Sequence, residues 1–261
     1  MKLLAIYNII NAEIPFKLSD DYVGAFGGHD NSGIILDTGE EISCAVFTLD
    51  LSFGAIELAK RMGAKLIVTH HPAIFFPISD LRADNPSGKK LIECARAGIS
   101  VISMHLNADC APRGVDYWLA ESVGAKEHEN IPVQTISGGG YGRIFHVEKQ
   151  AFSELSQNII TALGAHRVWQ FGPEKNVERV AVFCGAGMDG DSIQIAKKGG
   201  ADVIVSADAK HNYICEALDY GINVIQLTHY ASENYGFNKI YQDLKDKLGV
   251  ASEYHNDDFM L

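Results

Sequence analysis

The chain has 261 residues, of which 47% are hydrophobic and 21% are charged, so it can bury the core of one large domain or of two ordinary ones. Its formal net charge of −11 argues against nucleic acid as a partner, because non-specific binding depends on Lys and Arg neutralising phosphates. No run of about 18 apolar residues occurs, so no membrane-spanning helix is expected. The five cysteines are scattered and form no Cys-x-x-Cys pattern, which is typical of reduced thiols in a cytoplasmic protein.

The first predicted element is a helix at the N-terminus. Residues 1–10 are mostly apolar, but the segment lacks the Ala-x-Ala-like cleavage site of a signal peptide and runs into charged residues. The pattern therefore favours an amphipathic helix over a targeting sequence.

The next elements form a pattern that occurs twice in the chain. Residues 45–68 read as a strand, a loop, a helix and a second strand, and residues 181–205 repeat this order with the same Ala-Lys-basic-x-Gly-Ala string. A further strand is predicted in each copy, at residues 97–102 and 220–225. Strands that alternate with helical patterns of about a dozen residues predict βαβ units with largely parallel pairing.

We interpret this repeat as an internal duplication, although generic βαβ units also resemble one another. The predicted fold is therefore α/β, with two similar α/β domains at residues 1–128 and 129–261. Within each domain, the strand after Ala64 or after Ala201 should lie beside the next strand along the chain.

A pair of histidines comes after one of these strands. The sequence Thr69-His70-His71-Pro72 is directly preceded by the apolar run 64–68, which predicts a short buried strand. Side chains alternate along a strand, so His70 and His71 are expected to point to opposite sides and could each hold a different ion of a close metal pair. An isolated His-His pair is more often one buried and one exposed histidine without such a function.

Two later segments strengthen the metal hypothesis. His105 and His229 each come after a strand-like run, and each has a carboxylate four residues on, Asp109 and Glu233 respectively. Imidazole and carboxylate groups are ligands for zinc, manganese, iron or nickel, whereas an ordinary surface pair is the alternative for either segment alone. Because ligands of open α/β sheets lie outside the carboxyl ends of strands, we expect a metal site in the cleft between the two domains.

Two glycine-rich segments are candidates for binding an anion. Residues 137–142 precede a strand pattern, whereas a phosphate cradle usually opens a helix, so we interpret this segment as a turn. Gly185-Ala186-Gly187 lies between a strand and a helical pattern, which makes it the better candidate. It lacks the full dinucleotide-binding fingerprint.

The order of the motifs resembles a known family. Thr-His-His-Pro at 69–72, His-x-Asn-x-Asp at 105–109 and His-x-x-Ser-Glu at 229–233 resemble motifs of the Nif-three-like dinuclear-metal-centre family. Many bacterial members of that family are named GTP cyclohydrolase I type 2 homologues. Residues 30–33 and, more loosely, 206–211 also resemble family motifs, and the resemblance covers essentially the whole chain.

The resemblance implies a centre of two divalent metal ions in a toroidal homohexamer, with the metal sites facing an inner cavity. The implied metal ligands are His70, His71, Asp109, His229 and Glu233. Glu233 would bridge the two ions, and His105 would lie at the rim of the site.

Four positions that flank these ligands depart from the family pattern, while the five ligand positions are intact. His29 stands where the family often has Trp, Leu106 where it has Thr, and both Ala207 and Thr228 where it has Gly. We therefore expect the metal centre to be kept and the substrate pocket to differ.

The favoured function is that of a metal-dependent hydrolase acting on a nucleotide or another small phosphorylated metabolite, with a GTP cyclohydrolase-like reaction as one candidate. His105, His211 and Asp208 are candidate catalytic residues, which would transfer protons or orient metal ligands. The alternative is a non-catalytic metal-binding scaffold or regulator, which would use the same ligands. A dinucleotide-binding protein is disfavoured, because no Gly-x-Gly-x-x-Gly occurs after the first strand.

Overall fold

The computed structural model describes residues 1–261 and confirms an α/β fold, with two sheets and ten helices. The helices are α1 (Leu3–Glu13), α2 (Lys17–Phe26), α3 (Phe53–Met62), α4 (Pro86–Ala97), α5 (Leu106–Cys110), α6 (Val115–Val123), α7 (Phe152–Leu163), α8 (Gly190–Lys198), α9 (His211–Asp219) and α10 (His229–Leu244). The strands are β1 (Gly33–Leu36), β2 (Cys44–Thr48), β3 (Leu66–Thr69), β4 (Ser100–Ser103), β5 (Pro132–Ile136), β6 (Gly139–Ala151), β7 (Trp169–Phe171), β8 (Asn176–Val182), β9 (Val203–Ala207), β10 (Asn223–Leu227) and β11 (Ala251–His255).

The chain divides into two compact units. The first comprises Met1–Ala111 and Phe237–Asp257, and the second comprises Pro112–Gly236 and Asp258–Leu261. The C-terminal segment belongs to the first unit because β11 pairs in parallel with β2. The boundary predicted after residue 128 lies within the second unit, and the division into domains at residues 1–128 and 129–261 stays a prediction.

The sheet of the first unit has the strand order β1-β4-β3-β2-β11. Strands β2, β3 and β4 are parallel neighbours, and β1 runs antiparallel to β4 at the edge. All residues of β3 and β4 are buried, as expected for central strands that are covered on both faces. A buried core cluster joins the sheet to two helices and contains Val46 of β2, Ile67 of β3, Val101 of β4, Ile56 of α3 and Leu91 of α4.

The N-terminal helix predicted from the sequence is confirmed as α1. Its buried residues Leu3, Ile6 and Ile10 recur every three or four positions, which is the spacing of one apolar helix face. None of the helices combines the length and the apolar character needed to cross a membrane.

The sheet of the second unit has the strand order β5-β6-β8-β9-β10-β7. Strands β8, β9 and β10 are parallel neighbours, while β5, β6 and β7 pair antiparallel. The predicted pairing of neighbouring strands is confirmed, because β3 lies beside β4 and β9 lies beside β10. Each sheet thus contains the same order of three parallel strands with an antiparallel strand beyond the last, as a duplication predicts. The duplication itself stays a prediction.

The predicted turn in the glycine-rich segment 137–142 is a hairpin at its first two residues, and its other residues belong to β6. Ser137 and Gly138 connect β5 to β6, and these two strands pair antiparallel. Gly138 has a φ of 87°, in the left-handed region that favours glycine.

Candidate metal centre

The parallel strands of each unit place polar side chains at their common carboxyl edge. In the first unit, His70 and His71 come directly after β3 and His105 lies shortly after β4. In the second unit, Asp208 comes directly after β9 and His229 lies just after β10.

His70 and His71 do not diverge in the way that strand alternation predicts. Strand β3 ends at Thr69, so both histidines lie in the turn beyond it. The backbone N–H groups of both donate to the carbonyl of Leu49, at 3.1 and 2.9 Å. The two rings therefore stay close, with their centroids 4.9 Å apart. His70 is fully buried, whereas His71 is partly exposed.

His105 completes a group of three imidazoles in the first unit. Its ligand-capable nitrogen and those of His70 and His71 all lie within 4.8 Å of one another. Asp109, in the first turn of α5, is buried and places Oδ1 3.4 Å from His70 Nε2. Three imidazoles are thus grouped closely enough to hold a metal ion, and Asp109 lies beside one of them.

An oxygen atom holds Nδ1 of each of these three histidines. The partners are the carbonyl of Met104 for His70 at 2.8 Å, Asp50 for His71 at 2.8 Å and Asp30 for His105 at 2.7 Å. These oxygens accept hydrogen bonds, so Nδ1 carries the proton and Nε2 keeps the lone pair. Metal-binding histidines typically have this arrangement, in which a carbonyl or carboxylate fixes the tautomer and the ring orientation.

Asp30 belongs to a small network that orients His105. Ser32 Oγ donates to Asp30 Oδ2 at 2.6 Å and accepts from the backbone N–H of His105 at 3.0 Å. Burial would raise the pKa of Asp30, but the hydrogen bonds from His105 and Ser32 outweigh it and hold the pKa well below its ordinary value. Asp30 is therefore an ionised partner of His105. Its only signal in the sequence was the resemblance of residues 30–33 to a family motif.

The second unit contributes one histidine and two carboxylates. His229 Nδ1 contacts Asp208 at 2.7 Å, and His229 Nε2 lies 3.0 Å from Oε2 of the buried Glu233. Asp208 has a φ of 48° and is the only non-glycine residue with a positive φ. Such a conformation costs energy and is concentrated at functional sites, and here it accompanies the contact that orients His229.

His211, the remaining candidate catalytic residue, lies elsewhere in this unit. It is the first residue of α9, is exposed, and places Nε2 3.6 Å from Cys215 Sγ. It is not one of the clustered metal-ligand groups.

The geometry argues against the candidate anion site at Gly185-Ala186-Gly187, because two N–H groups at this strand–helix junction donate within the protein. The backbone N–H of Gly185 donates to Ser232 Oγ at 3.0 Å. Asp189 caps α8 with its own carboxylate, which accepts from the N–H of Ser192 at 2.8 Å. Gly185 instead makes room for Glu233, since a Cβ at this position would collide with the carboxylate of that residue.

A cavity in the first unit offers a different place for an anionic group. Its volume is about 150 Å³, and its lining includes Asp50, His71, Ser87 and Lys90. The carboxylate of Asp50 is engaged with His71, and Lys90 is the only lysine or arginine in the lining. Neither Lys90 nor Asp50 had a recognisable signal in the sequence.

Comparisons with known proteins agree with the sequence motifs. A sequence model of the family described as Duf34/NIF3 (NGG1p interacting factor 3) matches residues 1–256. A Clostridium perfringens protein named GTP cyclohydrolase 1 type 2 homolog is 30% identical over 262 residues, covering 97% of this chain and 95% of that protein. A Campylobacter jejuni protein of the same name is 32% identical over 249 residues, covering 94% and 93%. The crystal structure of a Staphylococcus aureus hypothetical protein has a TM-score of 0.86 at 22% identity over 99% of this chain and 97% of that one, which shows a shared fold.

Proposed function

Since the chain belongs to the Duf34/NIF3 family, we propose that it holds two divalent metal ions and hydrolyses a nucleotide or another small phosphorylated metabolite. The proposed ligands come from both units. The ligands are His70, His71, Asp109, His229 and Glu233.

The observation that carries this proposal is the common orientation of the histidines. In His70, His71 and His229, an oxygen holds Nδ1 and thereby directs Nε2 to the ligand role. His105 has the same arrangement. In His70 and His229, Nε2 also lies within 3.4 Å of a buried carboxylate, Asp109 and Glu233 respectively. Nitrogen and carboxylate ligands fit zinc, manganese, iron or nickel, and buried carboxylates are ordinarily paired or bound to metals.

The helix that carries Glu233 supports its role as the bridging ligand. Phe237 lies one turn after Glu233 on α10, and its ring centroid is 5.3 Å from that of His70. Residues four positions apart share one face of a helix. The Phe237 contact therefore supports a Glu233 carboxylate that faces the ion held by His70.

The protein's own groups have distinct tasks in the proposed reaction. The two ions, when bound, supply a nucleophilic water at neutral pH and stabilise negative charge that develops on the substrate. His105, held by the ionised Asp30, is the candidate for moving a proton at Nε2. Asp208 positions His229, and His211 has no assigned step because it lies with Cys215.

The cavity beside His71 supports an anionic substrate. Lys90 is part of its lining, and a cation in a partly desolvated cleft attracts anions. The net charge of −11 disfavours long polyanions such as nucleic acid, which leaves compact phosphorylated molecules as the favoured class. GTP is one candidate, since relatives of the chain bear the name GTP cyclohydrolase 1 type 2 homolog.

We also propose that the protein is a cytoplasmic homo-oligomer, with the hexamer suggested by the family resemblance. The buried residues Cys94, Cys110 and Cys184 form no disulfide, which supports a reducing compartment. Light scattering of the purified protein tests the oligomeric state.

The test of the proposed function combines metal analysis with a substrate screen. Purified protein is loaded with zinc, manganese, iron or nickel and assayed against nucleotides, phosphoesters and cyclic amides. We expect two metal equivalents and turnover in the wild type. Glu233→Ala should lose at least one equivalent, whereas Glu154→Ala, which alters an exposed glutamate of α7, should lose none.

Two outcomes would contradict parts of this proposal. Two full metal equivalents in Glu233→Ala would exclude Glu233 as the bridge. Tight reversible metal binding without turnover in any metal form would favour the non-catalytic scaffold.

A further inference from the structure

A row of aromatic rings runs from the clustered histidines of the first unit to its surface. Phe75 meets His105 edge to face at 5.8 Å and meets His29 in the same way at 5.3 Å. His29 in turn stacks on Phe76, with the centroids 5.1 Å apart and the rings 12° from parallel. Phe76 is 63% exposed, and His29 is also exposed. The row therefore ends in two stacked rings that face solvent.

These two rings are held in position by the segment that also orients His105. His29 Nε2 donates to the carbonyl of Phe75 at 2.8 Å, and Asn31 Nδ2 donates to the carbonyl of Ile74 at 2.5 Å. Hydrogen bonds thus connect the consecutive carbonyls of Ile74 and Phe75 to the residues on either side of Asp30. A surface held in this way loses little conformational entropy when a ligand binds.

The loop that carries Phe76 also borders a cavity of a size suited to a small molecule. This cavity has a volume of about 350 Å³, and its lining includes Ile74, Ile78, Arg82 and Leu91. Ligand pockets typically measure about 300–1,000 Å³ and combine apolar walls with a few polar groups.

We propose that His29 and Phe76 form a stacking platform for a planar heteroaromatic ring of the substrate, such as a purine base. The inference rests on the proposed function and narrows its substrate class. Aromatic side chains stack on the faces of bases, and the row of rings leads from this platform to His105. The ring of the substrate lies on the platform while its polar part reaches the metal centre.

A fluorescent nucleoside tests the platform without requiring either metal or turnover. The probe is 2-aminopurine riboside, whose emission is quenched when the base stacks, titrated with metal-loaded and with chelator-treated protein. We expect saturable quenching in both forms. His29→Ala and Phe76→Ala should each weaken binding about tenfold, as expected for the loss of one stacking partner.

Three further variants separate stacking from general apolar contact. Phe76→Leu keeps an apolar side chain without a ring and should weaken binding nearly as much as Phe76→Ala. His29→Trp supplies a larger ring and should bind the nucleoside at least as tightly as the wild type does. Phe259→Ala removes a phenylalanine that is 79% exposed in the second unit and should leave binding unchanged.

The outcomes distinguish this inference from the proposed function. Quenching that is absent in the wild type, or unchanged in both alanine variants, overturns the platform even if the metal-loaded protein turns over a nucleotide. Ring-dependent quenching without turnover of any substrate supports the stacking platform and contradicts the proposed hydrolase function.

Discussion

Replacing Gly185 by alanine should detach Glu233 from the proposed metal ion without unfolding the protein. An added Cβ would come about 1 Å too close to Oε1 of Glu233, because Cβ contacts essentially never fall below 3.0 Å. Metal–ligand distances tolerate changes of only about 0.2 Å, so a carboxylate displaced by about 1 Å no longer ligates. We expect metal affinity to fall at least tenfold, the lower end of losses seen when groups that orient ligands are removed.

A second glycine provides a matched control for backbone strain. Gly185 and Gly164 have φ values of 56° and 65°, but a Cβ at Gly164 would meet nothing within 4 Å. Both alanine variants should lose about 1–2 kcal/mol of unfolding free energy, the cost of a left-handed conformation for a residue with a Cβ. Only Gly185→Ala should lose metal.

The measurements are metal content by elemental analysis, metal affinity by calorimetry and unfolding in urea. Wild-type metal affinity in Gly185→Ala would refute the reasoning, because it would mean that Glu233 either does not bind metal or moves aside without cost. Equal loss of metal in both variants would show that strain alone disturbs the site.

Three other variants or modifications test separate parts of the structure. Asp116→Ala should lower the free energy of unfolding in urea by about 3–5 kcal/mol, because it leaves Arg143 buried without the carboxylate that lies 2.6 Å away. A loss below about 1 kcal/mol would contradict this. Asp30→Asn should lower turnover roughly 10- to 100-fold while metal content stays unchanged, since it removes the charged partner that orients His105. A loss of metal in this variant would indicate instead that His105 is a metal ligand. Burial raises the pKa of Cys94 to about 11. Alkylation at pH 8 should therefore modify the exposed Cys215 well before Cys94, which mass spectrometry of the products would show. Equal rates of alkylation would contradict the burial of Cys94.

The sequence by itself determined the elements that depend on local patterns. Apolar runs bounded by turn residues predicted the central strands β3, β4, β9 and β10, since burial on both faces requires such runs. The same patterns placed His70, His105 and His229 at carboxyl ends of strands, because the order of residues along the chain alone decides which side chains come directly after a strand. The α/β fold and the candidate ligands could therefore be predicted from neighbouring residues.

Only the tertiary structure decided which groups support those histidines. Asp30 is 75 positions from His105 and Asp50 is 21 positions from His71, so neither partnership has a sequence spacing that would reveal it. The return of β11 to the first sheet likewise depends on a pairing with β2 across most of the chain.

The Gly185 segment shows why a local pattern can mislead. A glycine-rich turn between a strand and a helix is compatible with an anion site, but whether its N–H groups are available depends on side chains that pack there. In this fold, Ser232 accepts from Gly185 and Asp189 caps the helix, while the missing side chain at Gly185 leaves space for Glu233. The sequence determined where a glycine was needed, and packing across the fold determined the purpose that this glycine serves.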